Sequence, residues 1–131
     1  MSRNYAFYVD TPLVMHFIDG NVPYSGAVSA KIFQSSADTV SSELSRMECR
    51  ALALLRGRPK LLVDVDIFFA PGLLVSLSED VFNLAAEIRG RYRFVVTDSI
   101  HLAAATFHGC DEFLTMKKSL KQYTGVRIHL V

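Results

Sequence analysis

The 131 residues are enough for one domain with a single core of ordinary size, and no internal repeat, low-complexity tract or linker divides residues 1–131. Half the residues are hydrophobic and 21% are charged, which excludes a largely disordered chain. Fourteen Lys plus Arg against thirteen Asp plus Glu leave a formal charge of +1, which excludes a polybasic binder held by whole-chain charge; any nucleic-acid contact must be local.

In chain order, Tyr5–Val9 is aromatic and β-branched enough for a strand, and its short apolar run lacks the h-region of a secretory signal. Thr11-Pro12 opens a helix that runs to about Asp19-Gly20, since proline is accepted in a first turn. Residues 25–36 read as a second helix, 39–41 as a very short strand and 43–56 as a third helix, stopped by Gly57 and Pro59. Residues 61–69 suit a helix face and end at Pro71-Gly72; Asp64 and Asp66 interrupt the run, which is far too short to span a bilayer. A strand follows at 73–77, then a helix from Ser78 to about Glu87 with Glu79 and Asp80 in its first turn.

Residues 93–96 are ambiguous extended chain. The segment 99–108 is apolar nearly all round and so is expected to be a buried central helix closed by Gly109. A short strand at 112–114, a short helix at 118–123 and a last strand at 126–130 complete the chain. Strands alternating with helices predict an α/β fold: three layers, α/β/α, around a mainly parallel central sheet. Cys49 and Cys110 lie inside apolar helical patterns without CxxC or metal-type spacing, so neither a disulfide framework nor structural zinc is expected, in keeping with a reducing cytoplasm.

Three carboxylates stand out against this pattern. Asp10 directly follows the first strand, where an α/β sheet builds its site, and serves equally as the cap of the helix at Pro12. Glu48 shares a helix stripe with Leu44, Ala51, Leu52 and Leu55, so it is expected to point inward and to need a cation, hydrogen bonds or a raised pKa. Asp98 precedes the buried helix and reads as its N-cap. If the fold gathers all three, their repulsion calls for a divalent cation with oxygen ligands, Mg²⁺ or Mn²⁺.

With these residues in view, the sequence resembles the PIN-domain family, and within it the VapC-type toxins of toxin–antitoxin pairs. The resemblance runs nearly end to end. Val9-Asp10-Thr11 is similar to the family's opening strand, and Ser41-Ser42-Glu43-Leu44-Ser45-Arg46-Met47-Glu48 to its second acidic block. Thr97-Asp98-Ser99-Ile100-His101-Leu102-Ala103-Ala104-Ala105 is similar to its third, and Gly109-Cys110-Asp111-Glu112-Phe113-Leu114-Thr115 to the strand and threonine that follow. The chain departs after that threonine: where the family commonly has Asn-Asp, a fourth acid, this sequence has Met116-Lys117. An ammonium cannot ligate Mg²⁺ and competes with it, or else holds a substrate phosphate. Asp111 and Glu112 belong to the preceding strand and do not replace the missing acid.

The resemblance implies a metal-dependent endoribonuclease acting on tRNA or ribosomal RNA, with Asp10, Glu48 and Asp98 as both metal-holding and catalytic residues. It also implies a small antitoxin partner and a homodimer; no membrane partner is expected, since no apolar run in the sequence is long enough to span a bilayer. Thr11, Ser99 and Thr115 are supporting hydroxyls on this reading, and Arg46, Arg50 and Lys117 are candidates for the RNA backbone, with Arg89, Arg91 and Arg93 further along the rim. Yet Glu43, Arg46 and Arg50 at helical spacing also describe a solvated face, and His101, one turn after Asp98, reads first as a hydrogen-bonding core residue. Two alternatives remain at this stage: a degenerate PIN domain that binds RNA or protein without cleaving, and a phosphotransfer fold using Asp64-Val65-Asp66. The second lacks the threonine expected two residues on, where Phe68 stands.

Overall fold

The computed structural model describes residues 4–20, 26, 37–70 and 73–131; the helix expected over 25–36 and the stop at Pro71-Gly72 lie outside the described residues, apart from Gly26. Its centre is the first strand. In β1 (Tyr5–Val9), Phe7 and Val9 face one way and Tyr8 the other, and all three are buried, as the two-faced burial of a parallel strand requires. The remaining elements, in chain order, are α1 (Thr11–Asp19), β2 (Ala37–Ser42), α2 (Glu43–Leu55), α3 (Pro59–Phe69), β3 (Leu73–Val75), α4 (Glu79–Tyr92), α5 (Val96–Phe107), β4 (Glu112–Thr115), a 3₁₀ turn (Lys118–Gln122) and β5 (Arg127–Leu130).

The five strands form one parallel sheet in the order β3-β2-β1-β4-β5. Phe7, Val9 and Leu114 pack with Leu13, Val14, Cys49, Ala53, Leu61 and Val65, so α1, α2 and α3 cover one face. Tyr8 and Phe113 pack with Val81, Ala85, Ile88, Leu102 and Ala105, so α4 and α5 cover the other. This is the three-layer α/β/α arrangement expected from the alternation of strands and helices. No helix among the described residues is long and apolar enough to cross a membrane. Neither cysteine is in a disulfide, and burial pushes the Cys49 thiol up to about 12.

Several boundaries differ from the sequence reading. Pro59 does not stop a helix but sits in the first turn of α3, where its missing N–H costs nothing. The α4 helix continues past Glu87 and through Gly90 to Tyr92, ending where Arg93 turns left-handed at φ 62°. The supposedly extended 93–96 is therefore a helix cap followed by the start of α5. That helix begins at Val96, with Val95 as its N-cap, so Asp98 lies inside the first turn rather than capping it.

Candidate functional site

The sheet order reverses at β1: the chain passes outward through β2 and β3, then returns to the other side of β1 for β4. At such a switch point the connections diverge and leave a crevice beyond the carboxyl ends of the strands. Asp10, immediately after β1, and Thr115, the last residue of β4, stand on either side of it. The Thr115 hydroxyl donates to Asp10 Oδ2 at 2.7 Å, while Asp10 Oδ1 accepts from the Thr11 amide at 3.0 Å. Asp10 therefore caps α1 and faces the crevice, so its two sequence readings coexist. It is 1% exposed, and burial holds its carboxyl above the usual range, with the nearby charge of Asp98 adding to that effect; Thr115, Lys117 and His101 pull in the other direction.

The cleft has a volume of about 520 Å³, and Asp10, Glu48 and Asp98 all line it. Glu48 reaches it from α2, but the stripe it shares with Ala51, Leu52 and Leu55 lines the cleft rather than being buried, with Leu52 also packed against the edge of the core. Ser45, Cys49 and Ala53 are the buried residues of the helix, whereas Leu55 is 83% exposed and Met47, Ala51, Leu52 and Leu55 form a cleft wall. Glu48 Oε1 accepts from the Thr11 hydroxyl at 2.9 Å and from His101 Nε2 at 2.6 Å. A carboxylate can only accept, so Nε2 carries a hydrogen. Burial raises the Glu48 carboxyl, but the contacts with His101 and Thr11 and the charge of Lys117 outweigh it and leave the group below its usual range.

His101 is buried on α5 and is held from behind by the Tyr8 hydroxyl, 2.7 Å from Nδ1. Tyr8 in turn meets the Ser42 hydroxyl at 2.8 Å. Its side chain lies on the opposite sheet face from Phe7 and Val9, so this chain of polar contacts runs from the interior of the sheet to the cleft acid. Asp98, one turn before His101, accepts from Lys117 Nζ at 2.6 Å. Burial depresses the Lys117 ammonium's pKa, but the bond to Asp98 and the charges of Asp10, Asp98 and Glu48 more than reverse this, leaving it above the ordinary lysine value.

Of the remaining residues singled out from sequence, Thr11 and Thr115 touch the acids directly. Ser99 does not: its hydroxyl donates to the Val95 carbonyl at 3.0 Å, satisfying its own helix. Arg46 pairs with Glu43, and Arg50 with Asp66; neither arginine lines the cleft. Both lie two residues from Glu48, about 200° around the helix and hence on another face. Arg56, eight residues after Glu48 and about 80° away by the same geometry, does line the cleft, as do His16 and Asp19, with which Arg56 pairs at 3.4 Å. That spacing was available in the sequence. Asp64 and Asp66 fall within α3 rather than after a strand, which removes the basis for the phosphotransfer alternative.

The donor chemistry of the cleft fits a hard divalent cation: three carboxylates and two threonine hydroxyls, all oxygen. The grouping is looser than the chemistry. Among the described residues no three His, Cys, Asp or Glu side chains are gathered as a metal-holding group, and an ammonium already sits on Asp98.

Comparison with known proteins agrees with this architecture. Residues 7–125 match the family model described as the PIN domain. The structure resembles that of VapBC2 from Rickettsia felis bound to a promoter DNA fragment, with a TM-score of 0.79, 11% identity, and coverage of 95% of this chain and 98% of that one. It also resembles VapC20 of Mycobacterium tuberculosis, described as a Sarcin-Ricin loop cleaving toxin, with a TM-score of 0.74, 15% identity, and coverage of 92% and 98%. DNA-bound VapBC from Salmonella typhimurium gives a TM-score of 0.75 at 15% identity, covering 95% and 97%. No curated protein matches the sequence. At these identities the solved structures establish a shared fold, while the family match spans nearly the whole chain: the protein belongs to the PIN domain family.

Proposed function

We propose that this protein is the VapC-type toxin of a toxin–antitoxin pair, an endoribonuclease that cleaves RNA of the tRNA or ribosomal class with Mg²⁺ or Mn²⁺. The observation that carries the proposal is that Asp10, Glu48 and Asp98, from three separate elements, line one cleft at the sheet's switch point. These are the residues that would hold the ion. When bound, it supplies a nucleophile at neutral pH and offsets charge on the scissile phosphate.

The chain's own groups prepare that cleft. Thr115 and the Thr11 amide fix the two oxygens of Asp10, while His101 and the Thr11 hydroxyl fix Glu48. Arg56 stands at the cleft wall, where a phosphodiester backbone can reach it, so it replaces Arg46 and Arg50 as the arginine for this role. The expected partners are an RNA substrate, a small antitoxin that covers the cleft and a second copy of the chain.

The test is incubation of purified, antitoxin-free protein with total tRNA and ribosomal RNA in Mg²⁺ or Mn²⁺. Discrete fragments that disappear with EDTA and with Asp98→Asn are expected. No cleavage by folded protein would refute the nuclease reading and favour the non-cleaving PIN scaffold. That second reading has one observation of its own, the ammonium of Lys117 on Asp98. It predicts that Lys117→Asp gains no metal-dependent cleavage.

A further inference from the structure

The strongest electrostatic feature of the cleft is supplied by the chain itself. The backbone of Lys117 is tied to the acid cluster, since its amide donates to Thr115 Oγ1 at 3.1 Å and that hydroxyl donates onward to Asp10. From this anchored turn the Lys117 side chain runs across the crevice to Asp98 Oδ1. The Asp98 side chain is 10% exposed and the lysine side chain 39%, so the pair has a shielded carboxylate and an ammonium with a path to solvent. The arginine on the cleft wall is differently engaged, Arg56 with Asp19, and His101 is bonded to Glu48.

Three carboxylates in one cleft repel one another, and ordinarily an external cation offsets this. Here one positive charge is already covalently present and hydrogen-bonded to the acid on α5. A divalent ion approaching Asp98 must break a charge-assisted hydrogen bond and tolerate a neighbouring ammonium, or wait for that ammonium to swing outward. We propose that Lys117 is a built-in counter-ion of the Asp10–Glu48–Asp98 cluster, occupying Asp98 in the metal-free protein and holding down its affinity for divalent cations. This rests on the reading of the three acids as the ion-holding set. Lys117 is then a positioning residue rather than a catalytic one. It keeps the cluster folded without metal and sets the cation concentration at which the cluster loads.

The experiment is a calorimetric titration of Mn²⁺ into the full-length protein, wild type and Lys117→Met, with Lys117→Arg as the charge-retaining control. Met keeps the unbranched stem and removes the charge. The expected result is tighter Mn²⁺ binding by Lys117→Met, by about tenfold or more, with Lys117→Arg close to wild type. In EDTA, Lys117→Met should melt at a lower temperature than wild type and regain the difference when Mn²⁺ is added, a response that loss of packing alone does not give. Lys117→Gln serves in place of Met should the latter not fold.

Equal affinities in wild type and the neutral variants would overturn the proposal, as would equal tightening in Lys117→Arg. RNA cleavage by the same wild-type sample separates the two levels. Mn²⁺-dependent cleavage with an affinity indifferent to Lys117 removes the counter-ion role and leaves the nuclease reading standing. Absence of both Mn²⁺ binding and cleavage in every variant removes both.

Discussion

Tyr8 is buried to 0% exposure yet places its hydroxyl between the Ser42 hydroxyl and His101 Nδ1, with its ring stacked on Phe113 at 5.4 Å. Tyr8→Phe preserves the stacking and the volume but leaves an imidazole nitrogen and a serine hydroxyl without that partner in the interior. A group unsatisfied in this way costs about 1–3 kcal/mol, so a lower melting temperature is expected. The functional consequence is separate, because His101 holds Glu48 at 2.6 Å and Tyr8 fixes the far side of the His101 ring. Contacts one step behind a metal-holding residue commonly matter by about 10–100-fold in metal affinity or activity. Tyr8 stands a further step back, behind His101, so Mn²⁺ affinity and RNA cleavage should fall by about tenfold at most when measured well below the melting transition; a destabilised variant with wild-type affinity and rate would confine Tyr8 to packing. The alternation of β1 predicted that Tyr8 would be buried, but no local pattern could show that its hydroxyl would find a histidine 93 residues away. Asp10 stands where the sequence placed it, at the end of β1 and capping α1, whereas Asp98, expected as a cap, lies inside the first turn of α5. Ser99, expected among the supporting hydroxyls, bonds the Val95 carbonyl of its own helix, a nearer acceptor than the site acid beside it.

Helix type was legible from hydrophobic period, but helix ends were not, and α4 shows why. Its charged first turn after Ser78 marks the start, and the Ser78 hydroxyl accepts from the Val81 amide as expected. Gly90 then resembles a stop, since glycine commonly closes a helix, yet the chain stays helical for two more residues and turns at Arg93. Continuation packs Tyr92 and Phe94 against the core and brings them into a stacked pair at 5.3 Å, a tertiary gain that outweighs the local preference for ending at glycine. Arg93 is exposed and the only described non-glycine residue with positive φ. A side chain in that region costs about 1–2 kcal/mol. Arg93→Gly should thus stabilise the fold by about 1 kcal/mol, after the greater unfolded-state entropy of glycine is set against the relieved strain. Chemical denaturation would register this as a higher midpoint at unchanged slope; a lower midpoint would show that the Arg93 side chain makes a contact worth more than the strain.

At the scale of the molecule, the order of strands decides where charge must be buried. Because β4 returns to the side of β1 that β2 leaves open, the carboxyl ends of two central strands lie side by side, and the chain closes the gap with Thr115 and Asp10 rather than with apolar side chains. The sequence showed alternating elements and isolated acids but not this order, since parallel pairing across β1 and β4 joins residues about a hundred positions apart. The consequence is a site that opposes the stability of its own fold. Burial holds the Asp10 carboxyl above the usual range, so the native state takes up its proton more readily than the unfolded chain does. A group shifted upward contributes most to stability below its unfolded-state pKa, and that contribution is lost as pH rises through the folded-state value. At neutral pH Asp10 is therefore a charge that the fold carries at a cost. Asp10→Asn keeps the size and most of the hydrogen bonding while removing that charge; relieving a functional site in this way commonly gives about 0.5–2 kcal/mol. In EDTA at neutral pH the variant should melt at a higher temperature than wild type while losing RNA cleavage. As the buffer is made more acidic the wild-type carboxyl becomes neutral, so the two melting temperatures should converge. A gap that stayed constant or widened toward acid would mean that the buried charge is fully compensated by Thr115, Lys117 and His101, and that Asp10 stabilises the switch point instead of straining it.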